Sequence, residues 1–151
     1  MKSITLRRAS RKDGEALLTL IDALADYEKL KRPNAAARKR LLRDAFGRRK
    51  RFSVILALTA GKAVGYAIYF ETYSSFLALP TLYLEDIFVL EEYRHRKIGL
   101  RLFRACRMEG RKYGCGRMEW MVLDWNKPAV RFYNRIGARR MKEWLLFRLK
   151  P

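Results

Sequence analysis

Residues 81–113 read TLYLEDIFVLEEYRHRKIGLRLFRACRMEGRKY, and the fold follows from how this stretch divides. Tyr83 to Val89 carries the β-branched and aromatic residues of a strand, with Glu85 and Asp86 interrupting its apolar run. Arg94, His95, Arg96 and Lys97 form a basic loop. Gly99 then opens a helical pattern whose apolar stripe is Leu102, Phe103, Cys106 and Tyr113. A basic loop running into a helix N-terminus is a good anion site, because the first turn has unpaired N–H groups and a partial positive charge. Successive loop amides can also form a nest around a phosphate. The Walker loop G-x-x-x-x-G-K-[ST] is absent, which argues against an NTPase. The G-x-G-x-x-G turn of a dinucleotide fold is absent as well. On the loop alone, a solvated basic turn and an anion site are equally good readings.

Working outward, Ser3 to Arg8 alternates weakly and reads as a first strand. Ser10 is an N-cap, with Asp13 three residues on completing a capping box. The helix that follows carries Leu17, Leu20, Ile21, Leu24 and Ala25, and ends near Tyr27 to Leu30. Asn34 caps a second helix, AAARKRLLRDAFG, closed by Gly47. Arg48 to Arg51 is a basic run of the kind that is usually solvated. Phe52 to Thr59 and Ala63 to Tyr73 form an antiparallel hairpin around Ala60-Gly61-Lys62. Ser74 to Pro80 is a surface loop whose apolar residues Phe76, Leu77 and Leu79 suit a substrate pocket or a subunit interface. Beyond the central helix, Gly114-Cys115-Gly116 turns the chain into a strand, Arg117 to Leu123. Asn126 caps a short helix that Gly137 ends in a left-handed conformation. Met141 to Leu149 reads as a final strand. The order β-α-α-β-β-β-α-β-α-β implies an α/β sheet flanked by helices, in one domain spanning 1–151.

The 151 residues suit a single sizeable core, and half of them are hydrophobic, so the chain should be globular. No apolar run reaches membrane-spanning length, and the N-terminus MKSITLRRAS lacks a signal-peptide apolar region. No membrane association and a cytoplasmic location are expected. Two cysteines and a single histidine make a metal centre or a Cys–His nucleophile improbable, so no metal is expected. The net charge is +19, from 34 basic against 15 acidic side chains. Such an excess steers anionic ligands toward the chain. Nucleic acid or a ribosomal surface is a possible partner.

Tyr-Leu-Glu-Asp-Ile-Phe-Val followed by Tyr93-Arg94-x-x-x-Ile98-Gly99 resembles the central motif of the GNAT superfamily of acyl-CoA-dependent N-acyltransferases, [QR]-x-x-G-x-[GA]. Arg94 and Gly99 match it. Lys97 stands where the middle glycine is usual, at a place where φ > 0 is tolerated poorly by a side chain. A second motif, N-x-x-A-x-x-F-Y-x-x-x-G-[FA], matches at Asn126, Ala129, Phe132, Tyr133, Gly137 and Ala138. The element order is also that of GNAT proteins, with a mixed, mostly antiparallel sheet, so the resemblance covers nearly the whole chain. The Leu84-Glu85-Asp86 sequence is similar to the polyamine and thialysine branch, spermidine/spermine N-acetyltransferase in particular.

The resemblance implies acetyl transfer from acetyl-CoA to a primary amine of a polyamine, diamine or thialysine-like acceptor. In alternative readings the acceptor is a protein amine, or the chain is a basic nucleic-acid or ribosome-binding module with a vestigial CoA site. The cosubstrate would be held by backbone amides of Arg94, His95, Arg96, Lys97, Ile98, Gly99 and Leu100, with the basic side chains near its phosphates. Main-chain groups of Phe88 and Val89 would meet pantetheine, and Asn126 would lie near the CoA arm while also capping its helix. Tyr133 is the implied acid toward the departing sulfur, and a packing tyrosine is its plainer role. Glu85 and Asp86 are candidates for base and amine recognition, and an ion pair with an arginine is theirs. In a regular strand only one of two adjacent residues faces the cleft, and a β-bulge would reorient them. A base is needed because an amine of pKa ~10.4 is neutral in only about one molecule in 2,500 at pH 7. A homodimer is expected from family resemblance and from Phe76, Leu77 and Trp144.

Overall fold

The structure, a computed structural model, describes residues 3–151, and the chain divides into two compact units, Met1–Trp120 and Met121–Pro151. The first unit holds β1 (Ile4–Arg8), α1 (Gly14–Tyr27), α2 (Ala35–Phe46), β2 (Ser53–Thr59), β3 (Lys62–Ser74), β4 (Leu79–Val89), α3 (Ile98–Lys112) and β5 (Arg117–Glu119). The second holds α4 (Lys127–Arg135). The five strands lie in the order β1-β2-β3-β4-β5. The first four pair antiparallel, and β5 joins β4 in parallel.

Local chemistry sets the element ends. The Ser10 N–H donates to Asp13 Oδ2 at 2.7 Å, and Arg7 forks onto the same carboxylate, which holds Asp13 well below the usual carboxylate range. This capping box closes a 3-10 turn, Arg11–Asp13, that leads into α1. Asn34 Oδ1 accepts from the Ala37 N–H at 2.9 Å and starts α2. Between β2 and β3, Ala60 and Gly61 both take positive φ, 47° and 78°. That is the signature of a two-residue type I′ hairpin, whose twist matches that of the strands. The turn is thus one residue shorter than expected, because Lys62 pairs with Thr59 as the first rung of the ladder.

The helices divide between the two faces of the sheet. Leu17, Leu20 and Ala45 of α1 and α2 pack with Val54, Leu56, Tyr66, Ile68 and Phe88 of the strands. On the opposite face, α3 buries Ile98, Leu102, Phe103, Cys106 and Gly110, with Leu82 of β4 beneath Gly110. Tyr113, expected on this stripe, is instead exposed at the helix end. The C-terminal half of α3 is tied to the sheet by polar contacts as well. Glu109 pairs with Arg8 and accepts from the Tyr69 hydroxyl at 3.2 Å.

In the second unit, Asn126 Oδ1 accepts from the Ala129 N–H at 3.3 Å. Gly137, at φ 85°, ends the helix as expected, and the Ala138 N–H returns to the Tyr133 carbonyl at 3.0 Å. The strand expected over Met141 to Leu149 does not form, so the tenth element of the sequence order is missing. Residues 144–147 read WLLF, an unbroken apolar run without the period of two that specifies a half-buried strand. A strand also needs a ladder partner, and these side chains stay exposed, Trp144 by 75% and Phe147 by 86%. The strand expected over Arg117 to Leu123 is confined to Arg117–Glu119 for the same reason: its pairing with β4 stops at Tyr83↔Glu119.

A Cβ at Gly47 would fall 2.4 Å from the Arg43 carbonyl oxygen, the group that accepts the Gly47 N–H. Gly47→Ala therefore loses about 1–3 kcal/mol of stability through overpacking, read as a lower midpoint in urea at unchanged slope. A wild-type midpoint would refute this account of how α2 ends.

Candidate active site

The register between β3 and β4 slips once. Ile68 pairs with Asp86 and Tyr69 pairs with Leu84, which leaves Glu85 as an extra residue in β4. This is a β-bulge of the kind that would reorient the adjacent acids, and it divides the strand into two phases. Before it, Leu82 and Leu84 share the α3 face. After it, Asp86 and Phe88 lie on the face covered by α1 and α2. β5 pairs only with Thr81 to Tyr83, so among the described residues Leu84 to Val89 has β3 as its single strand partner.

Asp86 Oδ2 accepts from the Tyr66 hydroxyl at 3.1 Å. Burial, with smaller contributions from Glu85 and Glu28, pushes the Asp86 carboxyl up to about 6, although the Tyr66 hydrogen bond opposes this. Burial and the Asp86 charge push the Tyr66 hydroxyl well above its ordinary value. Burial also raises Glu28, just past the end of α1. Glu85 is exposed and adds to the negative field on Asp86, Tyr66 and Tyr83. Three carboxylates thus gather at one place in a chain of net charge +19. Aromatic rings floor the place: Tyr27 and Tyr66 lie 6.2 and 6.5 Å from Phe88. Carboxylates beside aromatic faces suit an organic cation.

Sequence patterns point to Glu85 and Asp86 but not to Glu28, Tyr27 or Tyr66. In the sequence Tyr27 and Glu28 read as a fraying helix end, and Tyr66 as one apolar strand residue among many. Only the sheet register places Tyr66 diagonally across from Asp86.

The basic loop follows β4. Arg94 turns inward: its Nε donates to the Val89 carbonyl at 3.0 Å, and its guanidinium lies over Tyr27 and Phe88 at 4.7 and 5.5 Å. It anchors the loop to the floor of the acidic site. His95, Arg96 and Lys97 are exposed. His95 and Lys97 take left-handed φ of 61° and 60°, so the backbone follows the glycine path although a lysine occupies it. Left-handed residues alternating with others turn successive N–H groups inward as a nest. Lys97 gives α3 no side-chain cap, and nothing lies within 4 Å of where a Gly99 Cβ would stand. Uncapped amides with open space beside them fit an anionic phosphate. Asn126 is buried and serves its helix as a cap. Tyr133 is half-buried on α4, its ring edge-on to Phe132 at 5.3 Å. Among the described residues no group of three or more His, Cys, Asp or Glu could hold a metal ion, and no helix is long and apolar enough to cross a membrane.

An uncapped helix N-terminus behind a basic loop thus lies next to a bulged strand that carries acids and a main-chain edge unpaired by β5. Residues 17–138 match the family described as the acetyltransferase (GNAT) family. The chain is 35% identical over 161 aligned positions to the thialysine N-epsilon-acetyltransferase of Sus scrofa, covering 99% of this chain and 94% of that protein. It is 46% identical over 85 residues to the L-ornithine N5-acetyltransferase of Arabidopsis thaliana, a match that spans 56% of this chain and 37% of that enzyme. The solved structure of the aminoglycoside N-acetyltransferase AAC(6')-Iy in complex with CoA shares the fold, with a TM-score of 0.83 at 19% identity over 100% of this chain and 97% of that one. The chain belongs to the GNAT family and is an acetyl-CoA-dependent N-acetyltransferase.

Two outcomes follow. A side chain in the left-handed region costs about 1–2 kcal/mol, partly offset by the extra unfolded-state entropy of glycine, roughly 0.5–1 kcal/mol. Lys97→Gly should therefore raise the melting temperature by about 1–3 °C, and a fall would show that the lysine side chain holds the loop. Asp86 is held above its ordinary value, so its ionised form destabilises the fold. That penalty is full above about pH 6 and absent below the ordinary carboxylate value near 3.8. Asp86→Asn should thus be more stable than wild type by about 3 kcal/mol at pH 8, with the gain vanishing toward pH 4. A pH-independent difference in urea midpoint would contradict this.

Proposed function

We propose that this enzyme acetylates a primary amine of a small cationic acceptor (a polyamine, a diamine or a thialysine-like amino acid) by direct attack on acetyl-CoA, with all 151 residues acting as one transferase domain. The observation that carries the reading is the gathering of Glu28, Glu85 and Asp86 around Tyr66 in an otherwise strongly basic chain. Such a local field attracts a cation despite the distant positive charge, which is screened beyond about 8 Å at physiological salt. The named activities of the thialysine and ornithine acetyltransferases to which the chain is similar support it.

In this reading Glu85 receives the amine proton through water, and Glu28 and Asp86 hold the second cationic group of the acceptor. The amides of Arg94 to Leu100 hold the pyrophosphate, helped by the exposed His95, Arg96 and Lys97. Main-chain groups of Phe88 and Val89 meet the pantetheine arm, and Asn126 caps α4 near it. Arg94 acts by fixing the loop against Val89, Tyr27 and Phe88. Tyr133 donates its proton to the departing thiolate, since a tyrosine keeps that proton at neutral pH. No covalent enzyme intermediate is required. A homodimer joined through the tip of the β3–β4 hairpin fits the exposure there of Tyr73, Leu77, Leu79 and Phe76, the last by 99%. Light scattering at working concentration giving a monomer mass would remove it.

The test is release of CoA thiol from acetyl-CoA with polyamines, thialysine, ornithine, lysine and a lysine-containing peptide. Turnover is expected with one small-amine class and intersecting initial-rate patterns. Tyr133→Phe should lower kcat by about 10²–10⁴-fold, the usual worth of a general acid. Glu28→Gln should raise KM for diamines more than it lowers kcat. Turnover with the peptide alone would overturn the small-acceptor reading, and parallel rate lines would overturn direct attack.

A further inference from the structure

Most of the +19 charge plays no part in the site described above, and α3 shows where some of it is organised. Arg101, Arg104, Arg107 and Arg111 are all exposed and recur at spacings of three, three and four. That spacing confines them to one side of the helix, within an arc of roughly 120° and over about 15 Å of axis. The other side of α3 is wholly committed, with Ile98, Leu102, Phe103, Cys106 and Gly110 buried. Glu109 is the helix's single acid, and it is turned to the sheet, bound by Arg8 and Tyr69. Among the described residues none of the four arginines has a carboxylate within ion-pair distance.

The row is unfavourable for the helix by itself. Like charges three and four residues apart repel, and Arg101 adds a cation near the positive end of the helix dipole. A multivalent anion lying along the row removes both penalties. A single phosphate would use one arginine or two, whereas the row has the length of about four to five nucleotides of one strand at 3.4 Å each. Guanidinium forks are the side chains best matched to phosphate oxygens. A bilayer fits poorly, because the apolar stripe of α3 is used up against the sheet and an interfacial helix must insert that stripe.

We propose that the outer face of α3 binds the phosphate backbone of a nucleic acid, without base readout, through Arg101, Arg104, Arg107 and Arg111. The proposal is independent of which amine the enzyme acetylates.

The experiment uses the full chain and a fluorescently labelled 20-nucleotide single-stranded RNA of mixed sequence, with anisotropy read from 50 to 300 mM salt. Arg101 is left in place because it borders the first turn of α3. Arg104→Gln/Arg107→Gln/Arg111→Gln keeps good helix formers in the helix. Removing three arginine–phosphate pairs should reduce the slope of log K against log salt by about 2. Binding should weaken at least tenfold at 100 mM salt, while CoA-thiol release with the best amine stays at the wild-type rate. A charge-matched control, Arg40→Gln/Arg48→Gln/Arg49→Gln, removes the same charge from the opposite face of the sheet and should weaken binding less than threefold. Equal weakening in the two variants would mean that only net charge matters, and would overturn the proposal. So would a wild-type chain that does not bind RNA at 50 mM salt. Tighter binding to poly-glutamate or to anionic vesicles than to RNA at equal salt would overturn the choice of nucleic acid.

Discussion

One inserted residue in β4 governs the arrangement of the rest. Side chains of a strand alternate faces with a period of two, so without an insertion Leu82, Leu84, Asp86 and Phe88 would all point the same way. They cannot, because Leu82 belongs under α3 while Phe88 belongs to the cluster beneath α1 and α2. The bulge at Glu85 resolves the conflict by switching phase in mid-strand. Asp86 thereby moves to the face where Tyr66 reaches it, beyond Tyr83, the last residue of β4 to pair with β5. The acid reaches the site as a product of core packing on the two faces.

The electrostatics of the site run against those of the chain. A carboxyl that is half-buried, hydrogen-bonded by one hydroxyl and near two other acids is unfavourable when ionised. A stability-optimised sheet would place an asparagine or an apolar residue there. Conflicts of this kind between local cost and retained residue concentrate at functional sites. Arg94 sharpens the point. Its guanidinium is spent on two rings of the site's floor and the Val89 carbonyl and not on the carboxylates.

Elements whose signal is local were legible in the sequence. Ser10 and Asp13, Asn34, Asn126 and Gly137 each fix an end within a few residues, and the structure places each end where the pattern put it. The bulge was legible only as an option: adjacent strand residues face opposite ways unless a bulge reorients them. What failed was non-local. The apolar run at 144–147 has strand-forming residues, but strand propensity measures fit to a neighbour and says nothing about whether a neighbour is present. Arg94 matched a phosphate-loop motif by position, while its side-chain direction depends on Tyr27, 67 positions earlier in the chain. Glu28 and Tyr66 likewise carry no pattern of their own, and they acquire meaning only from the register of β3 on β4.

The same distinction bears on the anion site proposed at the start of α3. Amides that hold a phosphate have to be in place before the ligand arrives, and here the loop leading into them contains two side-chain-bearing residues in the left-handed region. Such a conformation persists only if its surroundings over-determine it. At one end Arg94 clamps the loop to Val89 and the ring floor. At the other, the buried stripe of α3 and the Arg8–Glu109–Tyr69 contacts prevent the helix from sliding or rolling to relieve the loop. The strain at Lys97 is therefore held by contacts as far as a dozen residues away along the helix. The first turn keeps its amides uncapped because every element around it is fixed by something else.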